Sequence, residues 1–327
     1  MADRVELVFL EAAGRLIPRE AHVLAAVSGG GDSVALLHLL ERIAASRAPR
    51  VTVAHLDHGL RRGSRADRVF VERLARSLSL PIVSDRREVT ALRRKDESPE
   101  EAARRVRRAF LLETAERAGC DRVVCGHTLD DQAETILMRM VRGAGATALT
   151  GMADSGPGPF VRPLLGLERE ELRDWLRRRG LDYRDDPTNR NLRFDRNRVR
   201  RLVLPLLADQ LNPRAARHLV KAAELFREDA VHLDGLAREQ LEELSRWDGD
   251  GRLALDVRRF AELSPPVAKR LARLALQRAG VDARRLLAQH VEGLCDLARG
   301  AGGRSLNLPG RRLARRERGR LLIEGGG

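Results

Sequence analysis

Apolar positions in the first half of the chain follow two alternating periods. Short β-rich runs, "HVLAAV" (22–27), "VTVAHL" (51–56), "LPIVS" (80–84) and "RVVCG" (122–126), are separated by amphipathic helical patterns at 33–46, 64–79 and 98–118. A strand covered on both faces reads as a continuous apolar run, and a covering helix reads as a one-sided stripe. The alternation therefore predicts a parallel sheet with helices on both faces. A fifth strand is expected near 159–162, after the glycine-rich "RGAGATALTG". The third helix has a capping box at its start, with Ser98 as N-cap, Pro99 in the first turn and Glu101 three residues on. The opening "MADRVELVFLEAAGRLIP" is interrupted by Asp3, Glu6 and Glu11, so it reads as an amphipathic helix and not as a signal peptide.

The character changes after Pro163. "REELRDWLRRRG" predicts a helix closed by Gly180, and "DYRDDPTNRN" predicts a turn-rich loop. "RNRVRRLVLPLL" begins helical and meets Pro205. From Pro213 to Trp247 the pattern is helical, and "DGDG" (248–251) marks a boundary. The tail predicts a strand at "LALDV", helices at 265–279 and 282–299, and two short strands within "RSLNLPGRRLARRERGRLLIE"; the final "GGG" is expected to fray. The expected fold is α/β: a Rossmann-like parallel sheet with helices on both faces, then a helical linker and a small mixed α/β module. The expected division is a parallel-sheet domain at 1–210 and a helical and mixed α/β domain at 211–327.

Composition sharpens this picture. No apolar run among the 327 residues approaches the roughly 20 of a membrane helix. Cys120, Cys125 and Cys295 make no disulfide framework and no CxxC pair, which fits a reducing cytoplasm. A net charge of +14 points to a polyanionic partner, most simply nucleic acid. Lysine occurs only at Lys95, Lys221 and Lys269, so arginine use also reflects a coding bias. The net excess of charge therefore says more than any one arginine cluster.

Candidate chemistry begins at "AAVSGGGDSVALL" (25–37). A strand, a glycine turn and a helix N-terminus aim several backbone N–H groups and a positive dipole end at one spot, where a phosphate fits. Asp32 stands there with the wrong charge. The loop lacks the lysine of a Walker A sequence and does not match GxGxxG. "SGGGDS" instead resembles the phosphate loop of the PP-loop ATP pyrophosphatases, which cleave ATP between the α and β phosphates to adenylate a carbonyl oxygen. That resemblance implies ATP as co-substrate, bound by Ser28, Gly29, Gly30, Gly31, Asp32 and Ser33. It also implies a Mg²⁺ on Asp32 between the carboxylate and the leaving pyrophosphate.

A second signature, "GHTLDDQAETILMRMVRGAG" (126–145), puts His127 at a strand exit and Asp130, Asp131 and Glu134 in the first turns of a helix. Asp131 and Glu134 lie three apart and share a face. With "HLDHGLRRGS", "EEAARRVRRAF", "RPLL" and "DPTNRNLRFDRNRVR" in order, residues 22 to 205 resemble the tRNA(Ile)-lysidine synthases of the compact bacterial type. The resemblance implies adenylation of the wobble cytidine of a tRNA(Ile) with a CAU anticodon, followed by attack of free lysine and release of AMP. It implies that Asp32, His127 and Arg107 are catalytic and that Asp131, Glu134 and Arg107 bind lysine. The family has an aromatic where Arg108 stands, so either Arg107 or Arg108 could face the site. "HLDH" fits an adenosine-binding edge better than a metal site. Arg196, Arg198, Arg200 and Arg201, and Arg315 and Arg316 in the tail, are the candidate tRNA contacts. No membrane and no protein partner is expected to be required, and a homodimer is compatible with the sequence. The rival readings are a PP-loop tRNA thiolase, disfavoured by the cysteine spacing, a non-catalytic RNA-binding protein, and a small-molecule amide ligase.

Overall fold

The computed structural model describes residues 3–47, 49–59, 63–95, 97–143, 145, 148–156, 158–300 and 303–324. Parts of "HLDHGLRRGS" and of the glycine-rich loop, and the final "GGG", lie outside these residues. The chain divides into two compact units, Met1–Glu224 and Leu225–Gly327.

The first unit runs α1 (Arg4–Leu16), β1 (His22–Ala26), α2 (Gly31–Arg47), β2 (Arg50–Asp57), α3 (Ser64–Ser77), β3 (Ile82–Arg86), α4 (Pro99–Arg117), β4 (Arg122–Cys125), α5 (Leu129–Val141), β5 (Phe160–Val161) and α6 (Arg169–Arg178). The strands form one parallel sheet in the order β3-β2-β1-β4-β5. Alternate residues of each strand enter opposite cores. Val23, Ala25, Val53, Val124 and Val161 pack with Phe9, Leu36, Leu40 and Trp175 from α1, α2 and α6. Leu24, Ala54, Val123 and Phe160 pack with Phe110, Leu111 and Ala115 of α4. The capping box at Ser98 and Glu101 forms as expected, and Gly180 follows α6 with φ +62°.

Beyond α6 come α7 (Asp195–Arg198), a π-helical turn (Val199–Val203), α8 (Leu204–Gln210) and α9 (Ala215–Leu244). The helical segment expected to meet Pro205 does not break at that residue. The π turn comes first, with Leu204 N–H reaching Val199 O, so Pro205 sits in the first turn of α8, where its missing N–H is tolerated. The second unit adds β6 (Ser245–Trp247), β7 (Arg252–Asp256), α10 (Val257–Glu262), α11 (Pro265–Arg278), α12 (Ala288–Arg299), β8 (Ser305–Leu308), β9 (Arg312–Glu317) and β10 (Arg320–Glu324). Its antiparallel sheet has the order β6-β7-β10-β9-β8 around a core that includes Phe260, Leu271, Leu294 and Ile323. The tail thus holds three strands where two were expected, because Arg318 at φ 45° and Gly319 at φ 77° form a two-residue hairpin turn. α12 begins at Ala288 and not at 282, after a short 3₁₀ turn at Ala283–Arg285. No described helix is long and apolar enough to cross a membrane.

Candidate active site

The strand order reverses direction between β1 and β4, and a ligand crevice opens beyond the carboxyl ends of such a pair. A cleft of about 1140 Å³ lies there, lined among others by the loop after β1, the turn after β4 and the N-terminal ends of α5 and α6. Gly126, just after β4, lets the two loops meet. A β-carbon on it would stand 3.0 Å from the Asp32 carbonyl oxygen, so any larger residue would force them apart.

The loop after β1 is held by its own serines. Ser28 N–H donates to Ser33 Oγ (3.2 Å), the two hydroxyls lie 3.1 Å apart, and Ser33 Oγ donates to Gly30 O (2.9 Å). Gly29 takes φ +93°, which a side chain would strain. Asp32 belongs to the first turn of α2 and not to the loop proper. Its Oδ2 accepts from Arg169 Nε at 3.2 Å, while Oδ1 is buried without a hydrogen-bond partner. Burial pushes this carboxyl up to about 6, with Arg169 opposing and Asp131 adding to the rise. A buried carboxylate oxygen left unsatisfied beside a phosphate loop fits Mg²⁺, which takes one or two carboxylates and fills its shell with phosphate oxygens and water. Among the described residues no group of three or more His, Cys, Asp or Glu side chains forms a metal cage, so such an ion would depend on its substrate for ligands.

Across the cleft, the acids of α5 meet three arginines. Asp131 Oδ1 lies 2.9 Å from Arg196, 3.2 Å from Arg200 and 3.3 Å from Arg169. Glu134, fully buried, accepts from Arg196 Nε (2.7 Å) and Arg200 Nε (2.6 Å). Burial alone would raise Asp131, but Arg196 and Arg169 outweigh it and hold the carboxyl at about 2. Asp130 and Asp131 line the cleft, whereas Glu134 stands behind them. Arg196 and Arg200, four residues apart across the start of the π turn, thus lie inside the site. Arg201 also lines the cleft. Arg198 is exposed and pairs with Asp195.

Sequence reasoning missed Arg169. It is the first residue of α6, where the helix dipole disfavours a cation. That misplaced charge, the mirror image of Asp32, was the available signal. Asp130 Oδ2 accepts its backbone N–H at 2.7 Å.

The choice between Arg107 and Arg108 is decided by packing. Arg107 lines the cleft, while Arg108 lies over the Phe160 ring, 4.4 Å from its centroid. His127 lines the cleft with Nδ1 buried and unpartnered; burial pushes it down to about 3, so it is neutral at physiological pH. His55 and His58 also line it, each with one buried, unpartnered ring nitrogen. Cys125 ends β4 and lines the cleft, and burial pushes its thiol up. In the second unit, Arg315 pairs with Glu317 at 3.1 Å. Arg316 turns back to donate to Ala298 O (2.9 Å) and Gly300 O at the end of α12.

A serine-clasped glycine loop at the switch point of a parallel sheet, with residues 4–207 matching the PP-loop domain family, makes this a PP-loop protein. Residues 255–322 match a family described as the TilS substrate binding domain. The tRNA(Ile)-lysidine synthase of Solibacter usitatus is 40% identical over 285 residues, covering 87% of this chain and 63% of that protein. The Streptomyces coelicolor protein of the same name is 39% identical over 320 residues, covering 95% and 87%. The chain belongs to the tRNA(Ile)-lysidine synthase family. It spans less than two thirds of the length of several relatives, such as 57% of the Symbiobacterium thermophilum protein. Among solved structures, the U34-tRNA thiolase NcsA from Methanococcus maripaludis, with its 4Fe-4S cluster, shares the fold. Its TM-score is 0.58 at 17% identity, covering 68% of this chain and 80% of that one.

Proposed function

We propose that this protein uses ATP to adenylate O2 of the wobble cytidine in a tRNA(Ile) with a CAU anticodon and then joins lysine to C2 of the same base. The observation that carries this reading is one cleft with the phosphate loop on one wall and a buried acid–arginine cluster on the other. Two ligands of opposite charge are thereby provided for in one place. In the first step cytidine O2 attacks the α-phosphorus and the bond to the β-phosphate oxygen breaks. The amides of Gly29 to Gly31 and the hydroxyls of Ser28 and Ser33 hold the leaving pyrophosphate. Asp32 would hold Mg²⁺, which neutralises charge on that leaving group. Neutral His127 and cationic Arg107 flank the α-phosphate, His127 as a hydrogen-bonding group and Arg107 as a compensating charge.

In the second step the lysine side-chain amine, having lost a proton, attacks C2. The C2–O2 bond breaks and AMP departs with the oxygen. Asp131, on the cleft wall, exchanges one of its three arginine contacts for an ammonium group of the incoming lysine, with Arg107 for its carboxylate or the adenylate. Glu134, behind that wall, acts through Arg196 and Arg200, which it aims into the cleft. The exposed Arg198 and Arg201 and the half-buried Arg315 are offered to tRNA phosphates, and residues 211–327 supply most of the tRNA affinity. A thiolase reading asks for a sulfur-carrying thiolate, and the buried Cys125 is held protonated. The test is incubation with ATP, radiolabelled lysine and a CAU-anticodon tRNA(Ile) transcript. Label in the RNA is expected, and ATP cleavage with unlabelled RNA would overturn the reading.

A further inference from the structure

A groove of about 510 Å³ runs along the outer side of α3, lined by Arg65, Ala66, Val69, Phe70 and Arg73, with Arg184 from the segment beyond α6. Arg184 lines the catalytic cleft as well, so groove and cleft meet at that side chain. Phe70 forms part of the floor and leans on the phosphate loop; a β-carbon on Gly29 would sit 3.6 Å from its ring. Val69 is 37% exposed beside it.

The charges on α3 are sorted. Arg68 and Arg76 pair with Glu72, at 2.8 and 4.0 Å, and neither lines the groove. Arg65 and Arg73 do line it, and neither has a carboxylate partner among the described residues. Arg65, Val69 and Arg73 recur every fourth residue, which puts them on one stripe with the two arginine Cα atoms about 12 Å apart along the axis. The result is an apolar floor between two uncompensated guanidinium groups, opening into a cleft that acts on a base.

We infer that this groove is an RNA subsite that holds the strand flanking the target nucleotide, with a base against Phe70 and Val69 and phosphates on Arg65 and Arg73. The inference rests on the proposed function, because a base that enters the cleft leaves its neighbours at the rim. An unpaired nucleotide offers both an apolar face for an aromatic ring and an anion for arginine. Arg65 and Arg73 stand two helical turns apart on this stripe, so each is placed to engage its own phosphodiester.

The test is filter binding of an anticodon stem-loop RNA with a CAU loop, across a salt series, with ATP affinity measured in parallel. For the Arg65→Ala/Arg73→Ala variant the expected result is at least tenfold weaker RNA binding at low salt. The slope of log K against log salt should flatten by about 1.4, from two single-strand phosphates at about 0.7 each. ATP affinity should not change. Phe70→Leu, which preserves apolar packing against Gly29, should weaken RNA binding about fivefold or more through lost stacking. Unchanged affinity and slope in the double variant, with normal lysine transfer to tRNA, would overturn the groove assignment and leave the enzymatic reading standing. A wild-type protein that shows the groove dependence yet transfers no lysine would sink the enzymatic reading alone.

Discussion

Replacing Glu134 by Gln removes one charge and almost no volume from a site with no solvent exposure. Arg196 at 2.7 Å and Arg200 at 2.6 Å lose their shared partner. Deleting one member of a buried ion pair costs about 3–5 kcal/mol, because the other charge stays desolvated. Here Asp131 remains 2.9 Å from Arg196 and 3.2 Å from Arg200, so the lower end, about 3 kcal/mol, is expected. At a urea m-value of about 3 kcal/mol/M the unfolding midpoint falls by about 1 M. Trp175 is fully buried in the first unit and reports this by fluorescence, once the half-exposed Trp247 of the second unit is changed to Phe. In the same variant, lysine incorporated per pyrophosphate released should drop, because Arg196 and Arg200 lose their aim. A midpoint shift below about 0.2 M would refute the claim that Glu134 anchors these arginines.

The other predictions concern single contacts. Asp32→Asn should abolish tRNA-dependent AMP formation. Because the Asp32 carboxyl is raised to about 6, its neutral form favours the fold; that contribution is complete below the unfolded value near 4 and is lost as pH rises through 6. In EDTA, the stability of Asp32→Asn relative to wild type should therefore grow from pH 4 to pH 7, and a constant difference would remove the desolvation argument. Gly126→Ala should lower kcat with native circular dichroism, since its methyl group meets the Asp32 carbonyl; full activity would show that the loops are not in close contact. In the second unit, Arg316→Ala should destabilise the fold by about 1–3 kcal/mol by freeing the end of α12, whereas Arg315→Ala should cost under about 1 kcal/mol by chemical unfolding. Arg315→Glu is accordingly the cleaner probe of tRNA binding, and an unchanged salt dependence would place the RNA contacts of this unit elsewhere.

Most of the first unit was legible because its signals are local. Apolar runs mark the strands, Ser98 and Glu101 mark the start of α4, Asp32 is a misplaced charge in a glycine loop, and the acids of α5 cluster within its first turns. What escaped was set by tertiary context. Arg169 joins Asp32, Asp131 and Glu134 only after the chain returns more than thirty residues later. Arg196 and Arg200 read as a surface cluster because their acid partners lie over sixty residues away. The third tail strand escaped because its hairpin turn uses Arg318 in a conformation that usually selects Asn or Gly. Arg316, a candidate tRNA contact, also donates to the carbonyls at the end of α12, an engagement that composition does not signal.

The central claim is that the base, and not the amino acid, is activated in the cleft that later receives lysine. Incubating the protein with ATP labelled at the α-phosphate and the CAU-anticodon tRNA(Ile), but without lysine, tests it directly. Label is expected on the RNA at the wobble cytidine, chased into AMP when unlabelled lysine is added. Label on lysine in the absence of tRNA would contradict it.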